Sequence, residues 1–221
     1  MARNIQYEIG KLQKMILTLS ALVEGSLNKA SASVLQISKK EAKEVIENDV
    51  KVDEMEIEVE EECLKILALH QPVATDLRYI VAILKINDEL ERIGDLSVNI
   101  AERTLSLAEC VKIDLGFEFK TMTQKVIAML NKSINALIDS DKASAYEVLQ
   151  MDNEIDEIHS HMYDKVQRVV SENPESIRIA LHYLSVSKHL ERIADHAESI
   201  AEIIIYMVGG DIIRHHHNSE D

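Results

Sequence analysis

Four acidic pairs with a spacing of four punctuate this chain: Asp49/Asp53, Glu91/Asp95, Asp152/Asp156 and Glu191/Asp195. On a helix, residues four apart stand one turn apart on the same face. Like charges there weaken the helix by about 0.2–0.5 kcal/mol per pair, so a counter-charge is expected. Carboxylate oxygens with few imidazoles or thiolates suit hard or borderline cations such as Mg, Mn, Ca and iron. Each half of the chain supplies four carboxylates from two helices that a bundle would set side by side. That exceeds the needs of one ion, and carboxylates bridging bundle helices can hold two metals. A multinuclear site for Fe, Mn, Mg or Zn is therefore the expected chemistry. His159 follows Asp156 by three residues on the same face, where the first half has Glu56. It makes a possible further ligand, and it predicts a softer second site that favours iron or zinc.

The plain alternative is a solvated acidic face. The duplication argues against it. Leu90-Glu91-Arg92-Ile93-Gly94-Asp95 returns as Leu190-Glu191-Arg192-Ile193-Ala194-Asp195. Between 89–102 and 189–202, 8 of 14 positions are identical (Leu, Glu, Arg, Ile, Asp, Ile, Ala, Glu). Chance gives about one. The chain reads as a duplicated unit, and surface acids would drift independently in two copies, whereas both pairs persist in both. Glu102 and Glu202 continue the face as outer or merely exposed acids. Glu198, whose counterpart is Val98, is a weak candidate. Arg92 and Arg192 point elsewhere on their helices and read as partners in surface ion pairs or as contacts for another protein. His182, His189 and His196 read as surface or satisfied core residues rather than ligands, and His215, His216 and His217 carry no function.

The elements that must position these acids are helices. Six Gly, two Pro and no Trp in 221 residues, with 46% apolar content, leave few helix breakers and ample core material. That composition favours helix nearly everywhere, and no strand signals are found. Apolar spacing places a first helix over about 5–37. Ser38-x-x-Glu41 is a capping box opening a second that runs to about Leu69, ahead of Pro72. A third covers about 75–108. Residues 110–116 form the linker, with Asp114 and Gly116 as turn residues. The fourth covers about 117–138, the Asp139-Ser140-Asp141 turn leads to a fifth ending near Glu172, and the sixth runs from Pro174, as a first-turn proline, to Val208. Gly209-Gly210 stops it. Short connections force antiparallel neighbours. The fold class is all-α: two tandem antiparallel three-helix bundles, 1–112 and 113–221 with a polar tail. One continuous six-helix bundle is the alternative.

Net charge is −15. Such a surface repels nucleic-acid phosphates and anionic lipid, which excludes nucleic acid as a partner. Cys63 and Cys110 read as small buried hydrophobes. Charges interrupt the first residues, against a signal peptide, and no apolar run spans a bilayer. A cytoplasmic protein is expected. No phosphate loop, Gly-x-Ser-x-Gly or His-Glu-x-x-His occurs, so no enzyme is expected. The competing reading is a carboxylate-bridged di-metal enzyme or metal-storage bundle.

At these residues the chain resembles the PhoU family of phosphate-transport accessory and signalling proteins. The four acidic pairs match its Glu/Asp-x-x-x-Asp metal motifs. Gln71-Pro72-Val73-Ala74-Thr75-Asp76-Leu77-Arg78 matches its signature before the third helix, and Tyr206-Met207-Val208-Gly209-Gly210-Asp211-Ile212-Ile213-Arg214-His215 matches its end. The resemblance implies a homodimeric negative regulator of the phosphate-starvation response. It would link the ATPase of a phosphate ABC transporter to a sensor histidine kinase, recruited to the membrane through those partners. The second half reads Asn173-Pro174-Glu175-Ser176-Ile177-Arg178, two residues shorter and without the Asp. A partner surface built on Asp76 and Arg78 would therefore be complete only in the first repeat.

Overall fold

In the computed structural model, which describes residues 2–110 and 119–210, every regular element is helical. In chain order they are α1 (Ala2–Gln36), α2 (Lys39–Asn48), α3 (Val50–His70), α4 (Ala74–Leu107), α5 (Phe119–Asp139), α6 (Lys142–Glu172) and α7 (Ile177–Gly209). A short 3-10 turn, Pro174–Ser176, precedes α7. The proline thus opens that turn and not the α-helix itself.

Helices α1, α2/α3 and α4 form one antiparallel bundle, and α5, α6 and α7 the other. The two bundles join along α4 and α7, and one continuous core runs through both. Leu90, Ile93, Ile100, Leu190, Ile193 and Ile200 occupy equivalent places in it, all at or near zero exposure. Glu89 accepts a hydrogen bond from, or pairs with, His196 at 2.6 Å across that joint. The boundary expected between 112 and 113, the turn residues Asp114 and Gly116, the end motif beyond Gly210 and the histidines at 215–217 lie outside the described residues.

The connections within each bundle are built alike. Ser33 and Ala136 accept from the amides of Ser38 and Asp141, both at 2.9 Å, the long bond of a Schellman closure. The same residue caps the following helix: Ser38 accepts from the Glu41 amide at 3.4 Å and Asp141 from the Ala143 amide at 2.9 Å. Only this half of the expected capping box forms. The Ser38 amide is spent on Ser33, and Oε2 of Glu41 is buried without a hydrogen bond.

The closures place Ile37 at φ 51° and Ser140 at φ 50°. That conformation suits glycine and strains residues bearing a Cβ. Ser140 is exposed, so its side chain offers little in return. Ser140→Gly is expected to stabilise the protein by about 0.5–1 kcal/mol, a rise of roughly 2 °C in the thermal midpoint. An unchanged or lowered midpoint would mean the hydroxyl makes a compensating contact.

One expected helix is interrupted. The stretch from Ser38 to Leu69 divides at Asp49, although Asp49 keeps helical dihedrals (φ −59°, ψ −38°). At the break, Nδ2 of Asn48 donates to the Glu44 carbonyl at 2.6 Å; the same bond from Asn28 to the Glu24 carbonyl leaves α1 unbroken, so this contact accompanies the break and does not by itself cause it. The Val52 amide then closes a tight turn on the Asp49 carbonyl at 2.7 Å. In the second repeat Met151 stands where Asn48 does, has no such donor, and α6 runs on unbroken.

Candidate metal centre

The acidic pairs face one another across neighbouring helices in each bundle. In the first, Asp49 and Asp53 come from the α2/α3 junction and Glu91 and Asp95 from α4. Gly94 brings these helices close: a Cβ there would lie 3.1 Å from Cγ1 of Val52 and 3.8 Å from Oδ1 of Asp49. The Asp49 carboxyl is raised to about 6, by burial first and then by the charges of Asp53 and Asp95. Glu91 is raised by burial and by Asp95, against the pull of Arg92, with Glu56 and Asp53 adding to the rise. Glu56 is raised by burial and by Glu60, Asp88 and Asp53.

In the second bundle Asp152 and Asp156 come from α6, Glu191 and Asp195 from α7. One oxygen each from Asp152, Asp156 and Asp195 lie within 4.8 Å of one another. Burial raises Asp152 to about 7, helped by Glu198, Asp156, Asp195 and Glu191. Its Oδ1 is buried and accepts no hydrogen bond. Asp195 is raised by burial and Glu191, with Lys188 opposing. Lys188 Nζ lies 2.7 and 2.6 Å from the two oxygens of Glu191, so this cluster carries part of its own counter-charge. The first repeat has Asp88 at that position.

His159 lies beside the second cluster but outside the trio. Its Nδ1 is 2.8 Å from the Ser187 hydroxyl. Burial lowers its pKa, with the charge of Lys188 adding to the fall against Glu191 and Asp156. The first repeat carries the equivalent contact in other residues: Asn87 Nδ2 donates to Oε1 of Glu56 at 3.1 Å and to its carbonyl at 3.0 Å. The duplicated frame therefore holds Glu–Asn in one copy and His–Ser in the other.

Three residues count for more than their spacing alone implies. Glu198 is the foremost charge acting on Asp152, Asp88 acts on Glu56, and Glu56 acts on Glu91. The signal lay in the helical face itself: 88, 91 and 95 in one copy and 191, 195 and 198 in the other are successive one-turn steps. Matching the two copies position by position hid it, because the extension runs toward opposite ends of α4 and α7. The carboxylates of Glu102 and Glu202 are not among the charges described as acting on either cluster.

Elsewhere the outcome is mixed. Arg92 and Arg192 are exposed, and their charges act on Glu91 and on His189 respectively. Asp76 accepts from Gln6 Nε2 at 3.3 Å. Arg78 is half-buried, reaches within 3.9 Å of the Cβ position of Gly210, and has an Nε without a hydrogen bond. Cys63 is fully buried, with its thiol pushed up to about 12 by burial. Cys110 is only half-buried, its Sγ 3.5 Å from the Ser106 carbonyl, so the expectation of burial holds for one cysteine of the two. No helix among the described residues is long and apolar enough to cross a membrane.

The clusters fit a cation. Both combine facing carboxylates with pKa values raised first by desolvation, and the second adds a convergent trio and a buried oxygen without a donor. An unpaired buried carboxylate is costly, and a hard cation or a proton relieves it.

Known proteins show the same organisation. The family profile described as PhoU domain matches twice, over residues 16–104 and 119–204. A phosphate-specific transport system accessory protein PhoU homolog of Aquifex aeolicus is 36% identical over 213 residues, spanning 96% of each chain. A homolog 1 of the same description from Thermotoga maritima is 34% identical, covering 94% of this chain and 90% of its own. The crystal structure of PhoU from Pseudomonas aeruginosa superposes with a TM-score of 0.90 at 32% identity, over 93% of this chain and 99% of that one. A phosphate transport system regulatory protein PhoU from Streptococcus pneumoniae gives 0.83 at 26%, over 95% and 99%.

Proposed function

The chain belongs to the PhoU family, and from that premise we propose that it is a metal-binding accessory protein of phosphate-specific transport that holds the phosphate-starvation response off when phosphate is plentiful. Its relatives are named as accessory and regulatory proteins of phosphate transport, which supports a regulator over a catalyst. As an adaptor it would dock on the transporter ATPase and on a sensor histidine kinase, reaching the membrane through them, and would act as a dimer.

The observation that carries the metal reading is the second cluster: three carboxylates within 4.8 Å, one of them with a buried oxygen that lacks a donor. Asp152, Asp156, Glu191 and Asp195 would hold the ion there, with His159 and Glu198 beside them. Asp49, Asp53, Glu91 and Asp95 would do so in the first repeat. Bound cations would supply the positive charge that lets these acids ionise together. The first cluster is all oxygen and suits Mg or Mn. The second has an imidazole beside it and suits iron or zinc.

The test is metal content after loading with Mn, Fe, Zn or Mg, on protein whose three tail histidines have been removed. The wild type is expected to bind at least one equivalent per repeat. Asp95→Asn and Asp195→Asn should each lose the metal of their own repeat while helicity stays within a few per cent in the metal-free state. Wild-type content below a few tenths of an equivalent would end the metal reading and leave the accessory role standing.

A further inference from the structure

Helix α3 packs inward through Val52, Val59, Cys63 and Ile66, all at 0–1% exposure. Its opposite side faces solvent through positions 50, 54, 57, 61, 64 and 68, which are Val50, Glu54, Ile57, Glu61, Leu64 and Ala68, every one exposed. The steps of four and three are those of a coiled-coil seam. Val50, Ile57 and Leu64 recur every seven residues and are 53%, 52% and 53% exposed. A solvated face has no reason to carry three large apolar side chains in register.

The duplication supplies the comparison. Asp49 and Asp53 correspond to Asp152 and Asp156, so the same seam on α6 is Asn153, Glu157, Ser160, Asp164, Gln167 and Ser171. The acids at the second and fourth places survive in both copies. The apolar residues do not: Val, Ile and Leu become Asn, Ser and Gln. The second repeat has an ordinary wet face, and the first has a ridge.

We propose that the outer seam of α3 is a docking surface for a basic amphipathic helix of a partner protein. The partner presents apolar residues against Val50, Ile57 and Leu64, and Lys or Arg against Glu54 and Glu61. Charge decides the occupant. Asp53 and Glu60 flank the ridge on one side and Glu58 on the other, where Lys65 is already paired with Glu62 and Glu8 and Lys51 donates to Asn48; the seam is left net acidic, so a second copy of this chain would set acid on acid, and an anionic lipid surface would be repelled. A cationic helix gains on both counts, from buried apolar area and from complementary charge. The proposal deepens the adaptor reading by stating what one partner must look like. Its test uses metal-free protein, so its failure leaves the metal reading untouched.

A fluorescent peptide of about three heptads, Leu at one seam position and Lys at the other, is titrated with the protein at near-physiological salt and followed by anisotropy. Val50→Asn/Ile57→Ser/Leu64→Gln installs the second repeat's own residues at exposed sites and is expected to weaken binding by about tenfold or more. Glu61→Lys should weaken it similarly, whereas Asp164→Lys, the same charge change at the matching place on α6, should leave it within about twofold. The reverse graft, Asn153→Val/Ser160→Ile/Gln167→Leu, should create a second binding equivalent. Unchanged affinity in the triple variant, or equal losses in Glu61→Lys and Asp164→Lys, would overturn the proposal, the latter by showing general attraction to an acidic protein. So would sedimentation showing a dimer that the triple variant dissociates, since the ridge would then belong to a second copy.

Discussion

Asp152→Asn is expected to stabilise the metal-free protein by about 1–3 kcal/mol near pH 8 and to change little near pH 4. Folding moves this carboxyl from its ordinary 3.8 to about 7. Between those values the folded chain keeps a proton that the unfolded chain has released. Stability therefore falls as pH rises through the window, by up to about 1.4 kcal/mol per unit. The full shift would amount to about 4 kcal/mol, and water at the partly open edge of the cluster reduces it. Asparagine keeps the shape and has no charge to desolvate, so the penalty disappears where it was largest.

Asp49, raised to about 6, and Glu56, Glu91 and Asp195 act in the same direction. His159, His182 and His189 act oppositely. Burial lowers each of them first, so they add stability as pH rises toward the ordinary imidazole value of 6.5 and lose it below. The wild-type profile is the difference of these trends, and the variant-minus-wild-type difference isolates Asp152. Urea unfolding in chelator at several pH values measures it, and each kcal/mol corresponds to roughly 2–4 °C in a thermal midpoint. A variant less stable than wild type at pH 8 would mean that the Asp152 carboxylate makes a stabilising contact.

Leu90→Ala should move stability the other way, by about 3–5 kcal/mol. Leu90 heads the repeated motif, is wholly buried, and sits in the core that α4 shares with α7. Truncation removes transfer energy and leaves a cavity that two long, well-packed helices close poorly. Metal bound per folded chain should stay at the wild-type value. The two variants thus separate two parts of the motif: its leucine packs the core, while its acids weaken the metal-free fold. A loss below about 1 kcal/mol for Leu90→Ala would mean that the site collapses around the smaller residue.

Much of this was legible because it is a property of one helix at a time. Apolar spacing placed the long helices within a few residues, and the Asp139-Ser140-Asp141 turn, the Ser38 cap and the Gly210 stop each stand where local chemistry puts them. Which acids share a face followed from spacing as well. The break at Asp49 was less visible, since the tight turn that the Val52 amide closes on the Asp49 carbonyl lies inside a stretch whose spacing reads as one helix. Nor did any glycine flag the αL residues Ile37 and Ser140; the Schellman closures impose that conformation whatever residue stands there.

The sequence by itself determined that the chain is helical, duplicated, acidic and PhoU-like, because periodicity, repeats and net charge are carried by residue order alone. Tertiary structure alone decided that two bundles fuse along α4 and α7, that His159 rests on Ser187, and that the apolar ridge of α3 faces outward. Those facts depend on how helices rotate and slide against one another. That is set by the packing of many side chains at once, and no spacing within a single helix records it.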